Sequence, residues 1–340
     1  MTAAEILQQI EALEPGMQKA YLDAIRSTIN AATLAEVQRL LSENDENGLV
    51  ELLSLGTLAL LAELVRGAYI GGARYELAAI FIPVADRPVI GRKEFDITLR
   101  PAADWIERQT LSLRTTAVAE VREAVRAVMG SRRVIVGTKE VIRTDRQAAL
   151  DLIGRVSTQT GQRVGGVVGL PGNMAQYVVN ARNQLLSGDP ALLKQYLGRA
   201  KRDRRYDKIV QRAIDAAKPV AQADVDKMAG RYADRLLKYH AEVIAQTNAH
   251  ESFSAGRERA WEQIVEQGID RNRVVKDWRD RSDEKVRNSH RSMRGQRVVL
   301  GQAFITGAGA LLRFPGDSSL GAGYSETANC RCICIYQLRR

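Results

Sequence analysis

Apolar residues recur at spacings of three and four through Glu5–Leu13, Met17–Leu41 and Leu49–Ile70, which predicts three amphipathic helices at the start of the chain. The Gly71-Gly72 pair is expected to interrupt or end the third, with helix resuming through Ala79. From Phe81 to Pro101 the period is lost, and three prolines with Gly91 mark a connecting segment with breaks at Pro83 and Pro88. Asp104 offers an N-cap for a helix to about Met129, and Arg133–Gly137 is a β-branched run that reads as an isolated strand. A helix from Asp145 to about Thr160 leads into a glycine-rich stretch, Gly161–Gly169. It lacks the Gly-Lys-Ser/Thr ending of a phosphate loop and reads as a flexible loop or hinge. Asn173–Ser187 and Pro190–Arg199 are two short helices about a Gly188-Asp189-Pro190 turn.

A long helix is predicted over Ala223 to about Gln267. Val225, Met228, Tyr232, Leu236, Tyr239, Val243 and Ile244 form its buried stripe, and Gly230 and Gly256 are the places for a break or kink. After Gly268 the texture turns to short strands, glycines and turns. The expected fold class is therefore a mainly α N-terminal body followed by a small α+β C-terminal domain with short antiparallel strands. The segments are a helical region at 1–80, a connecting segment at 81–103, a helical basic middle region at 104–234 and a C-terminal domain at 235–340. A chain of 340 residues, 45% of them hydrophobic, is long enough to bury a sizeable core. Glu5, Glu11 and Glu14 argue against a secretory leader, and Leu49–Leu64 is too short and too acidic to span a bilayer. The expectation is a soluble protein made in a cytoplasm.

Charge changes the picture through its distribution. Residues 1–100 hold 9 Lys and Arg against 14 Asp and Glu, whereas residues 101–340 hold 41 against 26. Such asymmetry favours a polyanionic partner, because cations that neutralise phosphates release condensed counterions; a well-solvated helical surface is the plain alternative. The densest stretch, Lys194–Lys218, carries nine basic residues and three acidic ones. Arg199, Lys201, Arg202, Arg204, Arg205, Lys208 and Arg212 are the candidate contacts to DNA or to an acidic protein surface. No helix-turn-helix or ribonucleoprotein motif accompanies them, so any DNA contact is expected to be to phosphates and without sequence preference.

The unusual residue types gather in the last hundred positions. Asp283, Arg287 and His290 are spaced i, i+4, i+7, which on a helix would put them on one face with an Asp283–Arg287 ion pair. Phe314-Pro-Gly-Asp317 has Pro and Gly where a type II turn prefers them. The three cysteines, Cys330, Cys332 and Cys334, have no partner elsewhere in the chain, which excludes a disulfide framework and fits a reducing compartment. On a strand they would share one side, and with a histidine they suit a tetrahedral zinc, for which Cys330, Cys332 and His290 are the candidate ligands. Against this, same-face residues of a flat strand diverge, so the segment reads first as a buried cysteine-rich strand with no cofactor, with the zinc site as the alternative. Three histidines in all, and no H-E-x-x-H, G-x-S-x-G or P-loop, leave little scope for catalysis.

The order of these blocks resembles the head-morphogenesis domain of Mu F-like minor head proteins of tailed bacteriophages, over about residues 235–340. The residues that carry the resemblance are Thr247, Asn248, Trp278, Asp283, Arg287, His290, Phe304, Pro315, Asp317, Asn329, Cys330, Arg331 and Cys332. Cys334 is an addition to that pattern. The resemblance implies a non-enzymatic virion protein of the head and portal vertex, present in the host cytoplasm during assembly. Its implied partners are the portal protein, other head proteins and, through non-specific contacts in packaging or ejection, phage DNA, with no membrane. The alternatives are a delivered effector with nuclease activity and an internal scaffold-like protein that does not bind DNA.

Overall fold

The structure, a computed structural model, describes residues 2–54, 58–80, 100–136 and 139–339. The expected connecting segment therefore lies, over 81–99, outside the described residues. In chain order the elements are α1 (Ala3–Glu11), α2 (Glu14–Ala31), α3 (Leu34–Ser42), α4 (Glu46–Leu53), α5 (Ala59–Ala79) and α6 (Arg100–Gly130). A hairpin of β1 (Arg133–Val136) and β2 (Lys139–Ile142) follows, then α7 (Asp145–Ile153), β3 (Arg155–Val156), β4 (Arg163–Val164), α8 (Gly172–Ser187), α9 (Pro190–Leu197), α10 (Asp207–Asp215) and α11 (Gln222–Glu266). The remainder is β5 (Val274–Arg279), α12 (Asn288–Arg291), β6 (Arg297–Val299), β7 (Phe304–Ile305), β8 (Leu311–Leu312), α13 (Tyr324–Thr327) and β9 (Ile333–Leu338). This is a mainly helical body followed by a C-terminal region of short antiparallel strands, as the pattern predicts.

Several boundaries have clear local causes. Thr2 and Glu5 close a capping box on α1, and Thr144 with Gln147 closes one on α7. Thr33 caps α3, which divides the single helix expected over Met17–Leu41. Gly188, left-handed, ends α8, and Asp189 caps α9 with Pro190 in its first turn. Three expectations need correction. Asp104 lies inside α6 and does not cap it. The helix after Asp145 stops at Ile153, because Gly154 turns out of it at φ 79°. Arg133–Val136 is not isolated: it pairs with β2, Val134 opposite Val141.

The chain forms two compact units, each discontinuous in sequence: residues 1–21, 59–110 and 242–340 make one, and 22–58 and 111–241 the other. The first 80 residues thus serve both. In the second unit, Gly161–Gly169 is not a free hinge. Val167 and Val168 within it are buried, and Gly165 meets the Gly230 backbone of α11 where a Cβ would be 2.7 Å from the Gly230 Cα. A buried charge chain, Arg143–Asp151–Arg182–Asp226, joins the end of β2 and the last turn of α7 to α8 and α11.

The first unit holds the site. Its sheet has the order β6-β5-β9, all antiparallel, with Trp278 opposite Cys334 and Lys276 opposite Tyr336. Trp261, Ile264, Trp278, Met293, Phe304, Leu312 and the three cysteines share one apolar cluster. The glycines at 71, 72 and 256 do not break their helices. A Cβ at Gly72 would lie 2.1 Å from the Phe253 carbonyl oxygen, and one at Gly256 only 1.9 Å from that of Tyr69. α5 and α11 therefore cross backbone against backbone, which needs residues with no side chain at the contact. Beside the crossing, Glu76 accepts from Arg257 Nε (2.6 Å) and Trp261 Nε1 (2.8 Å), so the close approach also neutralises a buried carboxylate. Lys276, fully buried, donates to Glu258 (2.9 Å), whose other oxygen accepts from Tyr336 (2.7 Å).

Candidate functional site

The sheet supplies the floor of the site and two short turns supply its walls. Trp278 at the end of β5 is wholly buried and stands edge-on to His290 (5.5 Å between ring centres) and Phe304 (5.1 Å). His290 projects from α12, which begins only at Asn288. The predicted helix face carrying Asp283, Arg287 and His290 does not form. Asp280 accepts from Ser282 N and Asp283 from Lys285 N (both 2.9 Å), and Ser282 is left-handed at φ 56°, so local side-chain bonds hold the backbone in turns. Asp283 instead pairs with Arg331 (3.0 Å), and Arg287 reaches the Ala328 carbonyl.

Cys330 and Cys332 lie before β9, which starts at Ile333. Asn329 is left-handed at φ 52°, and its N–H donates to Thr247 Oγ1 (3.2 Å), so the chain turns here and does not run flat. Both sulfurs converge on one atom: His290 Nδ1 is 3.6 Å from Cys330 Sγ and 3.5 Å from Cys332 Sγ. Ligand atoms of the three residues all lie within 4.8 Å of one another. The far nitrogen, Nε2, faces Glu326 at 3.1 Å, and Glu326 accepts from Ser289 Oγ (2.9 Å). Cys334 is on the strand itself, buried near Lys276 and Glu258, outside this group. The Cys332 thiol and then His290 hydrogen-bond Cys330 and hold its pKa well below the usual thiol range against the cost of burial, while the same contact with Cys330 pushes Cys332 up. With 3%, 3% and 1% exposure for Cys330, Cys332 and His290, the arrangement favours coordination over attack on a substrate.

The remaining sequence-singled residues divide. Trp278, His290, Phe304, Cys330 and Cys332 form one connected group, Thr247 meets Asn329, Asp283 meets Arg331, and Arg287 reaches the Ala328 carbonyl. Asn248 turns back onto its own helix, donating to the Ile244 carbonyl (2.8 Å). Pro315 and Asp317 shape the turn expected of them: Asp317 N donates to the Phe314 carbonyl (3.1 Å) with Gly316 at φ 88°. Buried Asp317 then accepts from Arg313 N (2.9 Å) and Ser319 N (3.0 Å). Sequence reasoning missed Glu326, whose only signal is a carboxylate four residues before Cys330. It also missed Glu251 of α11, which is buried, accepts from Ser318 Oγ (2.9 Å), and has its pKa pushed up to about 7 by burial.

In the second unit, the basic stretch does not lie on one helix but spans the end of α9, a turn and α10. Arg202 forms a two-pronged pair with Asp207 (3.0 and 2.9 Å), and Arg199 donates to Gln184 (2.9 Å). Buried Asp203 is a hub for Arg205 (2.6 Å), Arg231 (3.5 Å) and Arg235 (3.5 Å); the Arg205 hydrogen bonds draw its pKa down to about 2. Lys201 sits over the Tyr239 ring at 4.4 Å. Exposed Arg204, Lys208 and Arg212 make no ion pair among the described residues. Arg231 and Arg235, contributed by α11, were not foreseen as part of this surface.

Among the described residues no helix is long and apolar enough to cross a membrane. Comparison with known proteins finds no family model, no curated protein and no solved structure that matches this chain.

Proposed function

We propose that this chain is a minor head protein of a tailed bacteriophage, acting in head morphogenesis at the portal vertex. The observation that carries the reading is the convergence of the ordered motif on one place. Residues spread from Thr247 to Cys332 meet in pairs and short chains: Thr247 with Asn329, Asp283 with Arg331, and His290 with Trp278, Cys330 and Cys332, Trp278 in turn meeting Phe304. Sequence blocks far apart in the chain that meet around buried Trp278, His290, Cys330 and Cys332 support a family signature of the fold better than a scatter of chance matches. The burial of that centre suits a rigid assembly part.

On this reading the first unit is the anchor to the portal or neighbouring head proteins, and the basic surface of the second meets DNA phosphates or an acidic portal face. The exposed contacts there are Arg204, Lys208 and Arg212, with Arg205, Arg231 and Arg235 outnumbering the single Asp203 they share. Co-purification with the portal and major capsid proteins of the same phage, with and without DNase, tests the proposal. A DNase-resistant complex with the portal is expected. A chain that stays free of both assemblies overturns the reading and makes a nuclease assay of the delivered-effector alternative the next step. For the DNA contact, neutralising Arg204, Lys208 and Arg212 together should reduce the salt slope of binding by about 2–3; an unchanged slope removes that role.

A further inference from the structure

We propose that His290, Cys330 and Cys332 bind a structural zinc ion, with Glu326 as the outer carboxylate that fixes the imidazole. This goes beyond the head-protein reading and does not depend on it. In a tetrahedral site with Zn–S of about 2.3 Å and Zn–N of about 2.0–2.1 Å, adjacent sulfur and nitrogen ligands stand about 3.5–3.6 Å apart. The two sulfur–nitrogen separations here are 3.6 and 3.5 Å. Both run to the same Nδ1. A neutral imidazole nitrogen has one lone pair or one hydrogen, so it bonds one sulfur at a time and the second has only the weak contact between the two thiols. A cation between the three atoms satisfies all of them.

The surroundings favour the metal-ligating tautomer. Glu326 Oε2 stands 3.1 Å from Nε2 without hydrogen-bond geometry. Its charge on that side favours the tautomer with the proton on Nε2 and the Nδ1 lone pair toward the sulfurs, the side on which carboxylates orient zinc-bound histidines. Ser289, next to His290, holds Glu326 in place. Arg287 on the Ala328 carbonyl and Thr247 on the Asn329 N–H clamp the turn that delivers the two cysteines. Because the cysteines precede β9, the divergence of same-face residues on a flat strand does not apply to them. Two thiolates and an imidazole select a borderline-soft ion over magnesium or calcium. Among the described residues the group supplies three ligands; His250, buried and electrostatically linked to Cys330, is a further histidine outside it, so one coordination position is left open by the protein. Binding releases the remaining thiol protons and changes no oxidation state. The ion joins α12 to the approach of β9.

The test uses the full chain, expressed with added zinc and purified without chelator. Element analysis should find about one zinc per chain. Cobalt(II) titrated into the metal-free protein should give thiolate-to-cobalt charge-transfer and tetrahedral d–d bands. Cys330→Ser and Cys332→Ser should each lose the ion, whereas Cys334→Ser, buried outside the group, should keep it. Glu326→Gln should keep the stoichiometry with affinity lowered about 10–100-fold. If the Ser variants do not fold, the cobalt spectrum of the unaltered chain decides alone. Absence of both zinc and the cobalt bands overturns the proposal, as does zinc that survives loss of both Cys330 and Cys332. A mass showing Cys330 and Cys332 joined as a disulfide in the freshly isolated protein also overturns it.

Discussion

Alanine at Gly71 and alanine at Gly72 are the same change one residue apart in the same helix, and they separate propensity from packing. Both gain helix propensity of about 0.8–1 kcal/mol relative to glycine. At Gly71 a new Cβ meets nothing within 4 Å, so the gain stands. At Gly72 it would lie 2.1 Å from the Phe253 carbonyl oxygen, 2.9 Å from its carbon and 3.0 Å from its Cα. These are backbone atoms of a facing helix and have no rotamer to escape into, so the helices must part by about 1 Å or more. Overpacking of this kind costs about 1–3 kcal/mol, and the upper end applies here because parting also stretches the buried Glu76 contacts with Arg257 and Trp261. Gly71→Ala should therefore stabilise by about 1 kcal/mol and Gly72→Ala destabilise by about 1–2 kcal/mol net. Urea unfolding followed by tryptophan fluorescence reads the right part of the molecule, since Trp105, Trp261 and Trp278 all belong to the unit containing this crossing. Shifts of the same sign and size in the two variants would refute the close crossing.

Two further outcomes follow from buried charge. Glu251, with its pKa raised from 4.5 to about 7, keeps its proton in the folded state while the unfolded chain ionises; stability should fall as pH rises from about 4.5 to 7. Glu251→Gln should remove on the order of 2–3 kcal/mol of that decline, measured as unfolding midpoints across the window; an unchanged pH profile would count against a protonated Glu251. Lys276→Met should cost about 3–5 kcal/mol by leaving Glu258 buried with only Tyr336, and adding Glu258→Gln should recover part of the loss. A double variant no better than the single one would show that lost packing, not orphaned charge, sets the cost.

What could be read along the chain was whatever depends on neighbours in sequence. The helix over Ala223–Gln267 and the turn at Gly188-Asp189-Pro190 come from periodicity and local backbone chemistry, and both are present within a residue or so of their expected bounds. What could not be read depends on partners far away. Gly72 and Gly256 look like helix breakers until the facing backbone is known. The basic stretch is visible as charge, yet Asp203 as its hub, and Arg231 and Arg235 from α11, emerge only in three dimensions. The same limit shaped the candidate site. Residue types picked out His290, Cys330 and Cys332, but period-two reasoning, right for Cys334, misplaced Cys330 and Cys332 on a flat strand, and period-3.6 reasoning gave Asp283 the wrong partner. Asn329 in a left-handed turn and the side-chain bonds of Asp280 and Asp283 are what defeat those periods.

The division of the chain also sets a timetable for synthesis. One unit is complete once residue 241 has been made; the other holds residues 1–21 and 59–110 but needs 242–340 as well. At translation speeds of about 5–20 residues per second, that last stretch takes about 5–20 s to make. Until it arrives, Gly72 has no helix to cross and Glu76 no cation, and the cluster around Trp278 and Phe304 does not exist. The early part of that unit must wait exposed beside a neighbour already able to fold. During this interval it is a natural client for chaperones, and synthesis of residues 242–340, not local helix formation, governs when the candidate site comes into being.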